Sequence, residues 1–165
     1  MRRALAVTVS NRASAGVYSD RGGPEVVAGL EELGFAVDGP EVVPDGVAVE
    51  TALRAAVAAA YDVVVTTGGT GISPTDQTPE MTMRVIDYQV PGIAEAMRAY
   101  GAAHGVPKAM LSRGVAGVAG RTLLINLPGS TGGVRDGMAV LAAVLAHAVE
   151  QLHGADHPVP PGGHS

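Results

Sequence analysis

Cysteine and tryptophan are absent from this 165-residue chain, and Phe35 is its only phenylalanine. The lack of cysteine excludes a disulfide framework, thiolate catalysis and a cysteine-ligated zinc site. Hydrophobic residues still make up 47% of the chain, so alanine, valine and leucine must fill the core. A chain of this length forms one domain with a core large enough to need no structural metal.

Long apolar runs and an excess of basic residues are also missing. No uninterrupted hydrophobic stretch reaches the length of a membrane span. Residues 1–3 lead straight into a short predicted strand without a signal-sequence pattern, so we expect a cytoplasmic protein with no membrane partner. The formal net charge is −5, and there is no basic run or aromatic platform, which argues against nucleic acid as a partner.

Short apolar segments alternate with segments of helical periodicity along residues 1–154. The pattern predicts strands at residues 4–9, 36–43, 62–67 and 122–127, and helices at 23–34, 49–60, 79–88, 92–103 and 138–152. This alternation predicts an α/β fold, a single-domain three-layer sandwich with a mostly parallel sheet and helices on both faces. Residues 155–165, rich in proline and glycine, are predicted to form a flexible C-terminal tail.

The most informative segment is residues 66–80, which read TTGGTGISPTDQTPE. A β-branched run precedes it, so a predicted strand passes directly into a glycine-rich turn. Gly68, Gly69 and Gly71 would let backbone N–H groups point into a cavity, as in an anion cradle. An ordinary strand-to-helix turn is the alternative, because the spacing matches neither GxGxxG nor GxxxxGK[ST].

Asp45 and Asp76 are the candidate metal-binding carboxylates. Each follows a predicted strand of the same sheet, and open α/β sheets bind ligands beyond the carboxyl ends of their strands. Two such carboxylates could hold Mg²⁺ against the phosphates of ATP. The alternatives are a plain turn residue for Asp45, within Pro-Asp-Gly, and a local cap for Asp76. Thr78 is predicted to be the N-cap of the next helix, with Pro79 at its first position.

Four segments resemble, in order, the motifs of the Mog/MoaB family of molybdenum-cofactor biosynthesis. They are residues 9–18 (VSNRASAGVY), 66–80, 111–117 (LSRGVAG) and 124–130 (LINLPGS). The resemblance spans about residues 5–153 and implies a Mog/MoaB-like fold and a homotrimer. It further implies a molybdopterin adenylyltransferase that uses Mg²⁺, takes ATP and molybdopterin as substrates, and releases pyrophosphate. The protein that inserts molybdate is an expected partner.

The resemblance also implies roles for individual residues. Asp45 and Asp76 would be catalytic and would hold Mg²⁺. The implied substrate-binding residues are Thr67, Gly68, Gly69, Thr70, Gly71, Ser112, Arg113, Asn126, Pro128, Gly129 and Ser130. The implied nucleotide-binding residues are Ser10, Asn11 and Ser14.

Simpler alternatives remain open at several of these positions. Ser112 and Arg113 could form a local turn and a surface ion pair, and Asn126 could only tie a loop. Asn11 stands where the adenylyltransferase branch commonly has aspartate, and Gly101 where some relatives have a pterin-contacting serine. A non-catalytic molybdopterin-binding or scaffold protein of the MoaB branch is therefore the competing function, and an unrelated nucleotide-binding domain is a third.

Overall fold

The computed structural model, which describes residues 1–154, contains one six-stranded sheet. The strands are β1 (Arg3–Val9), β2 (Ala36–Val43), β3 (Val63–Thr67), β4 (Tyr88–Gln89), β5 (Ala116–Ala119) and β6 (Thr122–Leu127). Their order across the sheet is β2-β1-β3-β6-β5-β4. The first four run parallel, β5 is antiparallel to β6, and β4 is antiparallel to β5. The tail predicted at residues 155–165 lies outside the described residues.

Helices cover both faces of this sheet. They are α1 (Asn11–Ser14), α2 (Gly22–Glu32), α3 (Val47–Ala58), α4 (Thr78–Met83), α5 (Pro91–Ala103), α6 (Thr131–Ala142) and α7 (Leu145–Leu152), with a 3₁₀ helix at Pro107–Leu111. Residues of α2, α5, α6 and α7 pack into one core cluster, and residues of α3 and α4 into a second cluster on the opposite face. The predicted three-layer α/β sandwich is confirmed.

The central parallel strands form as predicted because their side chains are buried on both faces, whereas the parallel edge strand β2 is only partly buried. Every residue of β3 and of β6 is buried, which explains their continuous apolar runs. The register places Thr67 of β3 between Thr8 of β1 and Leu127 of β6. The loops that leave these three strands therefore start side by side at one edge of the sheet.

The helix predicted at residues 79–88 is wrong over its second half. Helix α4 covers only the first half, and the short edge strand β4 follows it. The backbone amides on either side of β4, those of Asp87 and Val90, donate to the carbonyl oxygens of Val118 and Ala116 at 2.7 and 2.8 Å. Pairing with β5 thus takes the amides that a helix would have used.

The long helix predicted at residues 138–152 is also wrong, because α6 and α7 are separate helices with a 58° bend between them. At the break, Val144 N donates to Leu141 O, a tight 3₁₀-type bond. The bend keeps Leu141, Leu145 and Val149 all buried against the sheet. Within residues 1–154, no single helix has the length and composition to cross a membrane, and only this bent pair meets those criteria when both helices are counted together.

Candidate active site

The glycine loop after β3 is held in a conformation that only glycine adopts easily. Gly68 and Gly69 have φ angles of +100° and +68°, and a Cβ on Gly68 would lie 2.2 Å from Val9 O. Gly68 N donates to Leu127 O at 3.0 Å, so this amide is not free to bind a ligand. Within the described residues, the amides of Gly69, Thr70 and Gly71 have no protein acceptor. They are the part of the loop that can cradle an anion.

Asp45 and Asp76 lie against this loop from two sides. The Oδ1 atom of Asp45 accepts from Gly46 N at 2.8 Å and from Gln77 N at 3.0 Å. Its Oδ2 atom would lie 2.5 Å from a Cβ on Gly69, and Oδ2 of Asp76 would lie 2.8 Å from a Cβ on Gly71. The absence of side chains at both glycines therefore makes room for the two carboxylates.

The surroundings of Asp45 disfavour its charged form. Burial raises the pKa of Asp45, and the negative charges of Asp76 and Glu80 add to the increase, while backbone hydrogen bonds from Gln77 and Gly46 oppose it. A cation bound beside Asp45 would relieve this repulsion, because an opposite charge stabilises the ionised carboxylate.

Thr78 does not have the capping role that the sequence predicted. Gln77 is the N-cap of α4, and Thr78 is its first helical residue, with its N–H donating to Gly69 O at 3.1 Å. The Thr78 hydroxyl is fully buried and has no hydrogen-bond partner. It points at Gly69, where a Cβ would lie 2.2 Å from it.

These groups fit Mg²⁺ in one specific way. The described residues contain no cluster of three or more carboxylate, histidine or cysteine side chains, so they form no all-protein cage. They do offer two carboxylates beside the Gly69–Gly71 amides, together with the unpaired Thr78 hydroxyl. Mg²⁺ typically binds through one or two carboxylates and completes its shell with water and substrate phosphate, and Asp45 and Asp76 would hold it in this manner.

Two predicted substrate-binding residues, Ser112 and Arg113, connect the segment before β5 to the glycine loop by hydrogen bonds. Ser112 Oγ donates to Thr70 Oγ1 at 3.2 Å, and Arg113 N donates to Thr70 O at 2.7 Å. The Arg113 guanidinium donates to Gly71 O, to Asp76 O and to the Glu80 carboxylate. Its contacts within the protein are therefore with the loop that carries Asp76.

Asn126 is buried, and its side chain joins neighbouring elements by hydrogen bonds. Its Nδ2 donates to the hydroxyls of Thr66 and Thr82, both at 3.0 Å, and its Oδ1 accepts from Val115 N at 3.1 Å. These bonds join β6 to β3, to α4 and to the start of β5. Both amide hydrogens are used inside the protein, so the structure matches the loop-tie alternative, and direct binding of substrate by Asn126 stays a prediction.

The three predicted nucleotide-binding residues that follow β1 have different surroundings. Ser10 caps α1 by accepting from Ala13 N at 3.1 Å, and it lines the larger cavity described below. Asn11 Oδ1 instead accepts from Asp45 N at 2.9 Å, and Ser14 Oγ donates to Asn11 O. Contact of Asn11 and Ser14 with nucleotide stays a prediction, while the position of Asn11 shows that it holds the segment bearing Asp45.

Sequence reasoning missed Asp20. Its Oδ1 accepts from Gly23 N at 3.0 Å in the first turn of α2, and its Oδ2 accepts from Thr8 Oγ1 at 2.8 Å. The aspartate thereby fixes the start of α2 beside the end of β1. The available signal was an aspartate followed by Arg-Gly-Gly-Pro just before a helical pattern, which is typical of a helix start.

Two cavities meet at this edge of the sheet. The larger, about 990 Å³, is lined by the ends of β1 and β3, by the first glycines of the loop and by Gly129 and Ser130. The smaller, about 140 Å³, is lined by α5, the 3₁₀ helix and α6, and by Ser112, Asn126, Pro128 and Ser130. Ser130 lines both. Asp45 and Asp76 line neither cavity, and Asp45 approaches the larger one only behind Gly69.

Comparison with known proteins assigns most of the chain to one family. The family described as "probable molybdopterin binding domain" matches residues 5–147. The molybdopterin adenylyltransferase of Escherichia coli K12 is 35% identical over 162 residues, which cover 93% of this chain and 80% of that protein. The chain spans about half the length of the bifunctional molybdenum-cofactor proteins it matches, 48% for the Synechococcus elongatus protein at 36% identity.

Solved structures that are similar to this chain belong to the same family. A structure titled as MogA is 59% identical, with a TM-score of 0.89, and the match covers 92% of this chain and 99% of the other. A structure of the molybdopterin biosynthesis enzyme MoaB from Thermus thermophilus is 40% identical, with a TM-score of 0.82 and coverage of 94% and 98%.

Proposed function

The chain belongs to the Mog/MoaB family of molybdenum-cofactor biosynthesis, and we propose that it is a molybdopterin adenylyltransferase. In this reaction an oxygen of the terminal phosphate of molybdopterin forms a bond to the α-phosphorus of ATP. The bond from that phosphorus to the bridging oxygen of the β-phosphate breaks, and pyrophosphate leaves. The nucleophile is already ionised, so the reaction needs no strong general base.

The observation that carries this proposal is the pair of cavities that share Ser130, with Asp45 packed behind Gly69 at the wall of the larger one. A transferase for two substrates must hold both with their reacting phosphates in contact, because orientation supplies much of the rate enhancement. The larger cavity has the volume of a site for a nucleotide. The smaller is lined by four of the residues predicted to bind substrate, Ser112, Asn126, Pro128 and Ser130.

The larger cavity suits a polyphosphate chain. The N-terminal ends of two helices, α2 at Gly22 and α6 at Thr131, line it, and helix N-termini favour anions. The free amide of Gly69 adds a further donor. Arg12 and Arg21 also line the cavity, and neither guanidinium has a partner among the described residues. These cationic and dipolar groups would neutralise phosphate charge and keep the chain extended along the loop.

The residues of the chain act in this scheme by positioning and by electrostatics. The Gly69–Gly71 amides would hold a phosphate oxygen, and Asp45 and Asp76 would hold Mg²⁺. When bound, the metal would supply positive charge to the phosphates. Ser112, fixed by Thr70, would orient molybdopterin from the other side.

Two observations favour turnover over the non-catalytic alternative. The identity to the MogA structure, 59%, exceeds the identity to the Thermus MoaB structure, 40%. Asn11 also keeps the acceptor oxygen that an aspartate would offer to Asp45 N. The substitution at this position therefore leaves the positioning of Asp45 intact.

Incubation with molybdopterin, ATP and Mg²⁺ tests the proposal. We expect adenylyl-molybdopterin and pyrophosphate in equal amounts, detected by chromatography and by a coupled pyrophosphate assay. Omission of either substrate should abolish both signals. A wild-type protein that binds molybdopterin but forms no product would favour the scaffold alternative.

We also propose that the chain assembles as a homotrimer and passes its product to the molybdate-insertion protein. Val106, Met110 and Leu111 around the 3₁₀ helix are 40–67% exposed, an apolar surface that subunit contact would cover. Light scattering at micromolar concentration should give about three times the 16.5 kDa chain mass. A monodisperse monomer would contradict the trimer.

A further inference from the structure

We propose that Arg113 is a positioning residue, which holds the Asp76 loop in the shape that presents Asp76 beside Asp45. This role replaces the direct contact with substrate that the sequence predicted for Arg113. The proposal rests on the proposed adenylyl transfer, since it concerns the acidic pair of the same site.

The contacts of Arg113 all lead to one loop. Its Nε donates to Gly71 O at 2.8 Å, its Nη2 donates to Asp76 O at 3.0 Å, and its Nη1 donates to the Glu80 carboxylate. Its backbone N–H donates to Thr70 O at 2.7 Å. One residue thus binds the beginning, the middle and the end of the segment 70–80.

The chemistry of the guanidinium explains why arginine suits this position. Arginine presents donors in a rigid planar fork, so acceptors contributed by Gly71, Asp76 and Glu80 can be bound at once with fixed relative positions. The ammonium group of a lysine is a point charge on a flexible stem and cannot reproduce that arrangement. The hydrogen bond from Arg113 also lowers the pKa of Glu80, which keeps this carboxylate ionised as its partner.

The loop has few other means of holding its shape. Residues 72–75 are exposed, and Ile72 is 69% exposed, so no buried apolar side chain anchors this stretch. Apart from those of Arg113, the hydrogen bonds of segment 70–80 to its surroundings among the described residues are few. Ser112 Oγ donates to Thr70 Oγ1, Gln77 N donates to Asp45 Oδ1, and Thr78 N donates to Gly69 O, while Asp76 and Ser73 form a local turn. Removal of the arginine fork should therefore let Asp76 move away from Asp45.

A different arginine, Arg98, holds the residues on either side of Arg113. Nη1 of Arg98 donates to Ser112 O at 3.2 Å and to Gly114 O at 2.9 Å, and Arg98 lines the smaller cavity. Arg98 therefore supports the predicted molybdopterin side, whereas the Arg113 side chain supports the metal side. This division makes the two arginines separable by ligand-binding measurements.

The experiment compares Arg113→Lys, Glu80→Gln, the double variant and Arg98→Lys with wild type. Arg135→Lys is the matched control, because among the described residues the Arg135 guanidinium pairs with Glu25 alone, on the surface at 3.0 Å. Binding of Mn²⁺ in the presence of a non-hydrolysable ATP analogue is measured by electron paramagnetic resonance. Binding of molybdopterin alone is measured by fluorescence, and circular dichroism checks that each variant is folded.

For Arg113→Lys we expect cation binding to weaken by about tenfold, the lower range for loss of a group that orients a ligating carboxylate. Molybdopterin affinity should stay within about twofold, and raised Mg²⁺ should restore turnover. Glu80→Gln should shift cation binding in the same direction, and the double variant should be no worse than Arg113→Lys, since both changes disrupt one contact. Arg98→Lys should weaken molybdopterin binding instead.

Two results would overturn the proposal. If Arg113→Lys weakens molybdopterin binding while cation binding is unchanged, Arg113 is a substrate ligand. If neither affinity changes in Arg113→Lys or in Glu80→Gln, the loop does not depend on this contact. These measurements require no turnover, so an inactive wild type would contradict the proposed function without contradicting the positioning role.

Discussion

The two cavities that share Ser130 are built from different parts of the chain. The loop after β1, the start of the glycine loop and the first residues of α2 and α6 line the larger cavity, with Arg12 and Arg21 among its residues. The smaller lies among α5, the 3₁₀ helix and α6, with Met97, Val106 and Ala109 among its residues. Cationic side chains and helix N-termini attract phosphate charge, while apolar side chains define a shape. Under the proposed function, phosphate recognition would depend on the larger cavity and recognition of the ring system on packing in the smaller.

The strongest test of this division is removal of charge beside the larger cavity. Asp45→Asn and Asp76→Asn keep side-chain size and should each reduce adenylyl transfer by at least about a hundredfold, as when one electrostatic stabiliser is lost. Molybdopterin binding and the fold should be retained. Asp87→Asn is the matched control, because within residues 1–154 the Asp87 carboxylate accepts a hydrogen bond only from Gly120 N, beside the edge strand β4. Normal turnover in both variants would make the acidic pair structural.

Packing around the smaller cavity can be tested at Gly101. A Cβ at this position would lie 2.6 Å from the Cβ of Ala109, so Gly101→Ser must push the 3₁₀ helix away from α5. We expect destabilisation of about 1–3 kcal/mol in chemical denaturation, together with weaker molybdopterin binding and unchanged ATP binding. The double variant Gly101→Ser/Ala109→Gly should recover most of the stability. Failure of this rescue would show that the clash is not the cause.

A bulky side chain at Ser112 should separate the two ligands more directly. Ser112 lines only the smaller cavity, so Ser112→Phe should weaken molybdopterin binding by at least about tenfold, or 1.4 kcal/mol. Nucleotide binding, measured by calorimetry, should survive. Equal loss of both affinities in a folded variant would mean that the two ligands share one cavity.

The smallest expected effect concerns the pH dependence of the Arg113–Glu80 contact. Arg113 lowers the pKa of Glu80 below its ordinary value of 4.5, so the contact contributes stability above pH 4.5 and loses it as the pH falls through the lowered pKa. Because Glu80 is half exposed, Glu80→Gln should reduce stability by less than about 1 kcal/mol at pH 7. Thermal unfolding should show this difference shrinking towards pH 3. A difference independent of pH would assign it to another cause.

The parallel half of the sheet could be predicted from local sequence. Strands β1, β2, β3 and β6 agree with the predicted segments within one residue at each end. For β1, β3 and β6 the reason is burial on both faces, which leaves continuous apolar runs, whereas β2 is an edge strand with no fully buried residue. The antiparallel strands β4 and β5 were not predicted. They have two and four residues, too few to establish a period, and they exist only because they pair with each other and with β6.

Some features of the candidate site could likewise be predicted from the sequence, and others could not. The glycine loop and the two aspartates were recognisable as residue types that suit phosphate and Mg²⁺, and connectivity placed them at one edge of the sheet. The hydrogen-bond partners of Arg113, Asn11 and Asn126 were not recognisable from the sequence, because each of these residues contacts groups that are distant in the chain. The Arg113 side chain binds residues 33–42 positions away, and Asn11 binds Asp45, 34 positions away.

The amino-acid sequence by itself thus determined the α/β class, the four long strands, the family and the glycine-rich composition of the loop after β3, all of which depend on local composition and spacing. Tertiary structure alone decided the antiparallel edge, the bend between α6 and α7, the absence of a cap at Thr78 and the orientation of Arg113 towards the acidic loop. The physical reason is that a side-chain or backbone donor binds whichever acceptor the folded chain brings within reach. Nothing in the neighbouring sequence identifies that acceptor.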